Sequence, residues 1–333
     1  MTKILRKVNN GVMSAFCAAL VLGLITILLP EAFAQAYPTK PIRIVVGTAP
    51  GGGGDIVSRL LGGKLAEALG QQIIVDNRDG AGGRISAEIA ARSAPDGYTL
   101  LMITGQFTIV DAMYKNLKYN LVKDFSPISL LGTVPFILAI NPSVPATSVK
   151  ELVTLAKSRP GVLKYGSGGS GSGQHLSTEI FKFMTGTDIL HVPYKAPPAA
   201  LTNTLTGEVD MTFQPVTACL PVIKSGKLRA LGVTSHKRTT LAPDLPSISE
   251  TVPGYEYTGF YGLVAPTKTP PAILSKLNIE VVKALNTPAV RERMTGLGID
   301  TLGTSQNDFA SFISTQLEKM RKAVKLSGTR VED

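Results

Sequence analysis

Twice along this chain an apolar, strand-like run gives way to a cluster of glycines that opens directly onto a helix-like segment. The first junction reads Ile42-Arg43-Ile44-Val45-Val46, then Gly47-Thr48-Ala49-Pro50-Gly51-Gly52-Gly53-Gly54-Asp55, then residues 56–61. The second reads Leu163-Lys164-Tyr165, then Gly166 through Gly173, then residues 174–181. At such a junction the first N–H groups of the helix lack intrahelical partners and stand at the positive end of its dipole. Glycine leaves that backbone uncovered, an arrangement that attracts an anion. Glycines also serve simply to allow tight turns, and one junction alone would not separate the two readings. A pair about 115 residues apart points to two α/β units, each offering a cradle to the same small anion.

The rest of the chain carries the same alternation. Residues 56–69 have helical spacing and end at Gly70, 72–75 form a short strand, and 85–92 a helix. Residues 98–103 are continuously apolar, the pattern of a parallel strand covered on both faces. The stretch 125–141 is apolar but interrupted by Pro127, Gly132 and Pro135, and it reads as two strands with a domain crossing between them; 257–264 is the return crossing. Ser148 and Glu151 form a capping box for a helix to Ser158. Further strands are expected at 189–194, 209–213 and 230–234, with a helix over 198–205. The tail reads as three helices, opening at Pro270-Pro271, at Thr287-Pro288, and at Ser305 with Asp308. Strands alternating with helices predict α/β layers throughout.

The first residues follow the pattern of a secretion signal. Lys3, Arg6 and Lys7 precede an apolar run from Val12 to Leu29, Pro30 breaks it, and Ala32-Phe33-Ala34 offers a cleavage site before Gln35. The run is long enough to span a bilayer, so an uncleaved anchor is the alternative. Gly11, Ser14, Gly23 and Thr26 dilute it, and cleavage after Ala34 with a periplasmic location is the expectation. About 299 residues then remain, enough for two lobes. Cys219 is the sole cysteine past the signal, so no internal disulfide is expected. The net charge of +10 falls to +8 without residues 1–34. Its basic residues are scattered, which suits a general attraction for anionic solutes rather than a nucleic-acid partner.

Enzyme motifs fail on inspection. Gly166-Ser167-Gly168-Gly169-Ser170-Gly171 satisfies G-x-G-x-x-G, but the acidic residue a dinucleotide site needs at the end of the next strand is missing; Asp188 precedes that strand. A phosphate-binding loop closes on Gly-Lys-Ser/Thr, whereas the first turn closes on Gly54-Asp55. Around Ser170 the nucleophile elbow G-x-S-x-G lacks its last glycine. His175, His191 and His236 are not spaced as metal ligands. No metal, cofactor or catalytic residue is therefore expected. His175 follows the second turn closely enough to sit near a ligand or to be structural, and His191 reads as a packed sheet residue. In the binding reading, N–H groups from Ala49 to Gly54 and from Gly168 to Gln174 point at carboxylate oxygens, and Ser167, Ser170 and Ser172 add hydroxyl donors.

At these residues the chain resembles the Bug family, the solute-binding receptors of tripartite tricarboxylate transporters. The resemblance runs from Tyr37-Pro38 nearly to the C-terminus. It rests on Tyr37-Pro38-Thr39-Lys40-Pro41-Ile42-Arg43, Ala49-Pro50-Gly51-Gly52-Gly53-Gly54-Asp55, Val75-Asp76-Asn77-Arg78-Asp79-Gly80-Ala81-Gly82-Gly83, Ala94-Pro95-Asp96-Gly97-Tyr98-Thr99-Leu100-Leu101 and His191-Val192-Pro193-Tyr194-Lys195. It implies a type II periplasmic-binding fold, two α/β lobes joined by crossing strands: residues 35–133 with 255–333, and 134–254. It implies a cleft that closes over one carboxylate gripped by Ala49, Pro50, Gly51, Gly52, Gly53, Gly54 and Asp55 on one side. On the other side stand Ser167, Gly168, Gly169, Ser170, Ser172, Gln174 and His175. Thr104, Gln106, Phe107, Tyr194, Lys195 and Gln214 would shape the far end, with Phe107 either stacking on an aromatic acid or packing in the core. Two departures stand out: Tyr194-Lys195 is followed by Ala196 rather than glycine, and Gln214 occupies a position often acidic in relatives. A neutral Gln214 favours a plain di- or tricarboxylic or aromatic acid over an amino acid. The implied protein is a monomeric, non-enzymatic receptor that delivers its solute to a membrane permease. A sensory receptor feeding a signalling partner and an exported enzyme acting on an acid are the alternatives.

Overall fold

Strand β1 (Ile42–Val46) is apolar at four of its five positions, and Ile42, Ile44, Val45 and Val46 are all fully buried. A strand covered on both faces must lie inside a sheet flanked by helices. In the computed structural model, which describes residues 37–169, 171–195 and 197–326, it does. The expected signal segment and cleavage site, Ser170 and Ala196 lie outside the described residues. The main body begins at Lys40. There β1 runs parallel to β2 (Ile73–Asn77) on one side and β3 (Thr99–Thr104) on the other. Helix α1 (Gly53–Leu69) makes the crossover from β1 to β2 and ends on Gly70 at φ 66°, a left-handed cap glycine adopts readily. Helices α2 (Arg84–Ala91) and α3 (Gly105–Met113) flank β3 in sequence.

The next strand corrects an expectation. The stretch read as two strands is one, β4 (Phe125–Ile140), of 16 residues. Its prolines are accommodated by the pairing rather than ending it: the register against β9 (Thr258–Pro266) shifts between Pro127 and Ser129 and again between Leu130 and Gly132. A proline has no ladder donor to offer, and irregular positions are where a sheet tolerates it. β9 is antiparallel to both β3 and β4, and short β10 (Asp300–Thr301) pairs the other edge of β4 at Thr133 and Gly132. Past Pro135 the same strand enters a second set of partners, β7 (Met211–Pro215) and β8 (Arg229–Val233), both antiparallel. Parallel β5 (Lys164–Ser167) and β6 (Leu190–Pro193) continue outward from β7.

Two cores result. One gathers Val45, Leu101, Phe107 and Phe260; the other gathers Leu138, Leu152, Tyr165 and Phe213. The latter is closed by α4 (Val149–Ser158) and α5 (Gly173–Thr185); α6 (Pro197–Thr206) follows β6, and α7 (Val216–Lys224) sends Val216 and Cys219 into a separate cluster with Ile137 and Val233. After α8 (Pro271–Leu285) and α9 (Pro288–Gly296), the last helix, α10 (Gln306–Leu326), serves both cores. Its Phe309, Ile313 and Leu317 belong to the first and its Met320 and Val324 to the second.

Candidate functional site

The first glycine turn spends part of its backbone on itself. Asp55, buried in the first turn of α1, points back and accepts from the Gly51 N–H at 2.9 Å and from Arg59 Nε at 2.9 Å. The Arg59 hydrogen bond, helped by that from Gly51, holds the Asp55 carboxyl below the usual range against the opposing effect of burial. Gly52 N–H donates to Ala49 O at 3.0 Å. The Gly51 and Gly52 donors are thus committed to the turn, which the Asp55 carboxylate clasps. Ala49 and Pro50 are exposed. The first helical N–H groups, those of Gly53 and Gly54, have no acceptor a turn earlier within α1.

Those two glycines line a cavity of about 280 Å³. Thr104 at the end of β3, with Gly105 and Gln106 opening α3, forms another wall, and Gly173, the first residue of α5, a third. The starts of three helices therefore meet at one space. The floor comes from β4 and β9 through Val134, Phe136, Gly259, Phe260 and Tyr261, with Tyr257 just before β9; Thr48, Ile109 and Pro215 complete the wall. No residue of this lining carries a charged side chain. Gly53, Gly54, Thr104 and Gln106 are the sequence-predicted residues brought together here.

The second glycine turn is more self-contained. Ser172 caps α5 by accepting from His175 N–H at 3.3 Å, while its own N–H donates to Gly169 O at 3.1 Å. His175 is turned back: its Nδ1 accepts from the Gly171 N–H at 3.0 Å, and its ring stacks on His191 at 4.4 Å between centroids. His191 stacks in turn on Tyr165 at 4.7 Å, and Tyr165 donates to Glu179 at 2.6 Å. Burial lowers the pKa of both histidines, His191 to about 4 with a further push from His175, so both rings are neutral at neutral pH. Ser167 Oγ lies 2.7 Å from His191 Nε2 and also accepts from the Gly169 N–H at 3.1 Å. The sequence showed no such serine–histidine pair. Ser167 is wholly buried, and its contact with His191 ties β5 to β6.

Other expected residues lie elsewhere. Phe107 is 2 % exposed in the first core, against Gly83 and Gly47, because the turn at Gly83 leaves room only for that ring. Gln174 donates to Gln214 at 3.3 Å, and Gln214 to Thr212 Oγ1 at 3.2 Å, an amide chain that joins α5 to β7 inside the protein. Tyr194 packs over Gly166 and donates its N–H to Ser167 O at 2.9 Å; Lys195 is exposed. Gly168 lies in the turn between β5 and α5.

Sequence reading missed Tyr257 and Tyr261. A Cβ on Gly53 would fall on the Tyr261 hydroxyl, and one on Gly173 would come within 2.6 Å of the Tyr257 hydroxyl and 3.1 Å of Phe136. Each cradle is thus glycine because a tyrosine from the crossing strand occupies the side-chain space. The two tyrosines four apart in an extended segment were visible; their tie to glycines far away in sequence was not. Among the described residues no cluster of His, Cys, Asp or Glu is placed to hold a metal, and no helix is long and apolar enough to cross a membrane.

Known proteins resemble this chain in sequence and fold. The tripartite tricarboxylate transporter family receptor matches residues 57–328. Protein BugT of Bordetella pertussis is 33% identical over 302 residues, 90% of this chain and 93% of that protein. The solved structure of R. palustris Rpa4515 with adipate is 34% identical with a TM-score of 0.72, over 88% of this chain and 98% of that one. MatC from Rhodopseudomonas palustris with bound malate is 30% identical with a TM-score of 0.69, over 86% and 100%. The fold is the two-lobed α/β architecture of periplasmic solute-binding proteins. On sequence and fold alike, this chain belongs to the tripartite tricarboxylate transporter receptor family.

Proposed function

We propose that this protein is a periplasmic receptor that captures a small carboxylate in the cavity at the three helix starts and delivers it to a membrane permease. The observation that carries the reading is that α1, α3 and α5 all begin at one cavity whose lining has no charged side chain. A carboxylate there would be held by backbone N–H groups and dipoles rather than by a countercharge. Hydrogen bonds to a charged group contribute about 1.5–3 kcal/mol each and a helix terminus about 0.3–1 kcal/mol more. Several together offset the lost freedom of the ligand and leave about −8 kcal/mol, a micromolar affinity. Adipate and malate in the two related structures support a carboxylic acid as the class.

In this reading the lobes are 35–133 with 255–333, and 134–254, and they close on the ligand by bending where β4 and β9 cross. The protein works as a monomer without cofactor or chemistry, after export and removal of residues 1–34. The test is a thermal-shift screen of the protein from Gln35 onward against dicarboxylates, tricarboxylates, aromatic acids and amino acids. At 100 times its dissociation constant a true ligand adds about 2.7 kcal/mol, a shift of several degrees. One responding class, recovered unchanged, supports the receptor; a flat response to every acid, or turnover of the bound acid, overturns it.

A further inference from the structure

Basic residues that lie scattered along the sequence are partly gathered by the fold. Lys115, Lys118 and Arg321 line a cavity of about 560 Å³ between the end of α3, the segment 114–124 and α10. It shares Asp111, Asn120 and Arg321 with a neighbouring cavity of about 450 Å³, where Lys123 and Glu318 also stand. None of these residues lines the cavity at the three helix starts. Tyr119 forms part of the first wall, 5 % exposed, its ring edge-on to Phe125 at 6.5 Å. Its hydroxyl is buried and has no hydrogen-bond partner among the described residues. Burial, and then the Asp111 charge, raises its pKa, so the hydroxyl keeps its proton and can donate.

The acceptors of this wall are already engaged. Asn120 Oδ1 takes the N–H groups of Val122 and Lys123 at 3.0 and 2.9 Å, which fixes the segment and leaves the side-chain NH2 as its other face. Asp124 accepts the Asn120 N–H at 2.8 Å and so closes the same turn. Arg321 gives Nε and Nη2 to a single oxygen of Asp111, at 3.2 and 2.7 Å, and Nη1 goes to none of the described residues. What remains is a set of donors: Lys118, the Tyr119 hydroxyl, the Asn120 amide and Arg321 Nη1. We infer that this junction is a second anion site, for a phosphate group, separate from the receptor cavity. A buried hydroxyl without a partner loses its hydration uncompensated, and an oxyanion acceptor supplies what the protein does not. Phosphate carries nearly two charges and three or more acceptor oxygens, which suits a guanidinium, an ammonium and two neutral donors better than the two oxygens of a carboxylate do.

The test is calorimetric titration of the intact protein with inorganic phosphate at neutral pH, with sodium chloride holding the ionic strength constant. One saturable site with a dissociation constant of about 1 mM or tighter is expected. Tyr119→Phe should weaken it about tenfold, and Lys118→Ala about threefold. Tyr119→Phe removes no internal hydrogen bond, so without phosphate its melting temperature should match or exceed that of wild type, which separates a lost ligand contact from a lost fold. Hydrogen exchange locates the ion: peptides covering 114–124 and 314–325 should gain protection when phosphate is added. Protection gained instead at 48–56 and 171–176 places phosphate in the receptor cavity and overturns the inference. A response no greater than that to added chloride overturns it, as does an unchanged affinity in Tyr119→Phe. Flotation with phosphatidylglycerol vesicles but no saturable response to inorganic phosphate overturns the small-ion site in favour of a membrane-facing surface.

Discussion

Gly173 is the position where a single methyl group tests the site most sharply. A Cβ there would come within 2.6 Å of the Tyr257 hydroxyl and 3.1 Å of the Phe136 ring, both held in the second core. Neither can retreat without disturbing its own packing, so Gly173→Ala should cost about 1–3 kcal/mol, read as a lower urea midpoint at unchanged slope. It should also cap the first donor of α5 and abolish carboxylate binding. Adding Tyr257→Phe removes the closer atom and should recover part of the stability without recovering binding. Full recovery of binding would mean that the backbone at Gly173 does not touch the ligand. This pairing shows what was legible at the scale of residues. The glycines announced themselves by repetition, but the reason for them is a tyrosine 84 positions later in sequence, at Tyr257, and spacing carries no trace of it. Asp55 is the local counterpart: its place beside the glycines is visible in the sequence, and four residues after Gly51 its carboxylate closes the turn.

Among the elements, the β5–β6–α5 junction is held by the Tyr165–His191–His175 stack, and that makes it sensitive to acid. Glu179 and Lys182 of α5 are the charged groups whose fields reach both rings. Burial, then His175, sets the His191 pKa to about 4 in the native state, while an unfolded histidine titrates near 6.5. Between those values the unfolded chain binds more protons than the folded one, so stability is full above about pH 6.5 and falls as the pH drops toward 4. Because the His191 ring is only partly buried and screened by water, the loss should be about 1–2 kcal/mol. Urea unfolding at pH 7.5 and pH 4.5 gives the slope, and His191→Asn should flatten it by that amount relative to wild type. An unchanged slope would assign the acid sensitivity to carboxylates elsewhere. Element identities were easier to read than element limits. Helix α4 begins at Ser148 as its pattern says, and Ser148 Oγ accepts from Glu151 N–H at 3.2 Å. The Glu151 carboxylate, however, takes the Thr147 N–H at 2.7 Å, one residue beyond the box expected for it. In β4 the prolines suggested an interruption that the neighbours on either side override, since pairing to β9, β7 and β8 supplies partners the local sequence does not know about.

For the whole molecule, two elements refuse to belong to one lobe. β4 pairs β9 and β10 over its first part and β7 and β8 over its last, so it lies inside both sheets. α10 places Phe309, Ile313 and Leu317 in the first core and Met320 and Val324 in the second. Asp111 of α3 and Arg321 of α10 add an ion pair at 2.7 Å, mostly exposed on the arginine side and therefore of small energetic weight. Helical spacing made α10 visible in the sequence, but not that its face is divided, because the division is set by residues more than a hundred positions earlier. If one lobe unfolded alone, half of α10 and half of β4 would lose their apolar partners at once. Unfolding should therefore be a single transition. The chain has no tryptophan, so the check is hydrogen exchange across a urea series, comparing peptides from β1 and β3 with peptides from β5 and α5. Both sets should lose protection at one urea concentration. Leu317→Ala, which empties a buried site in the first core, should cost about 2–5 kcal/mol and draw both midpoints down together. Peptides of the second core that hold their midpoint while the first falls would show the lobes to be independent, and would leave the crossing strand as a tether rather than a shared beam.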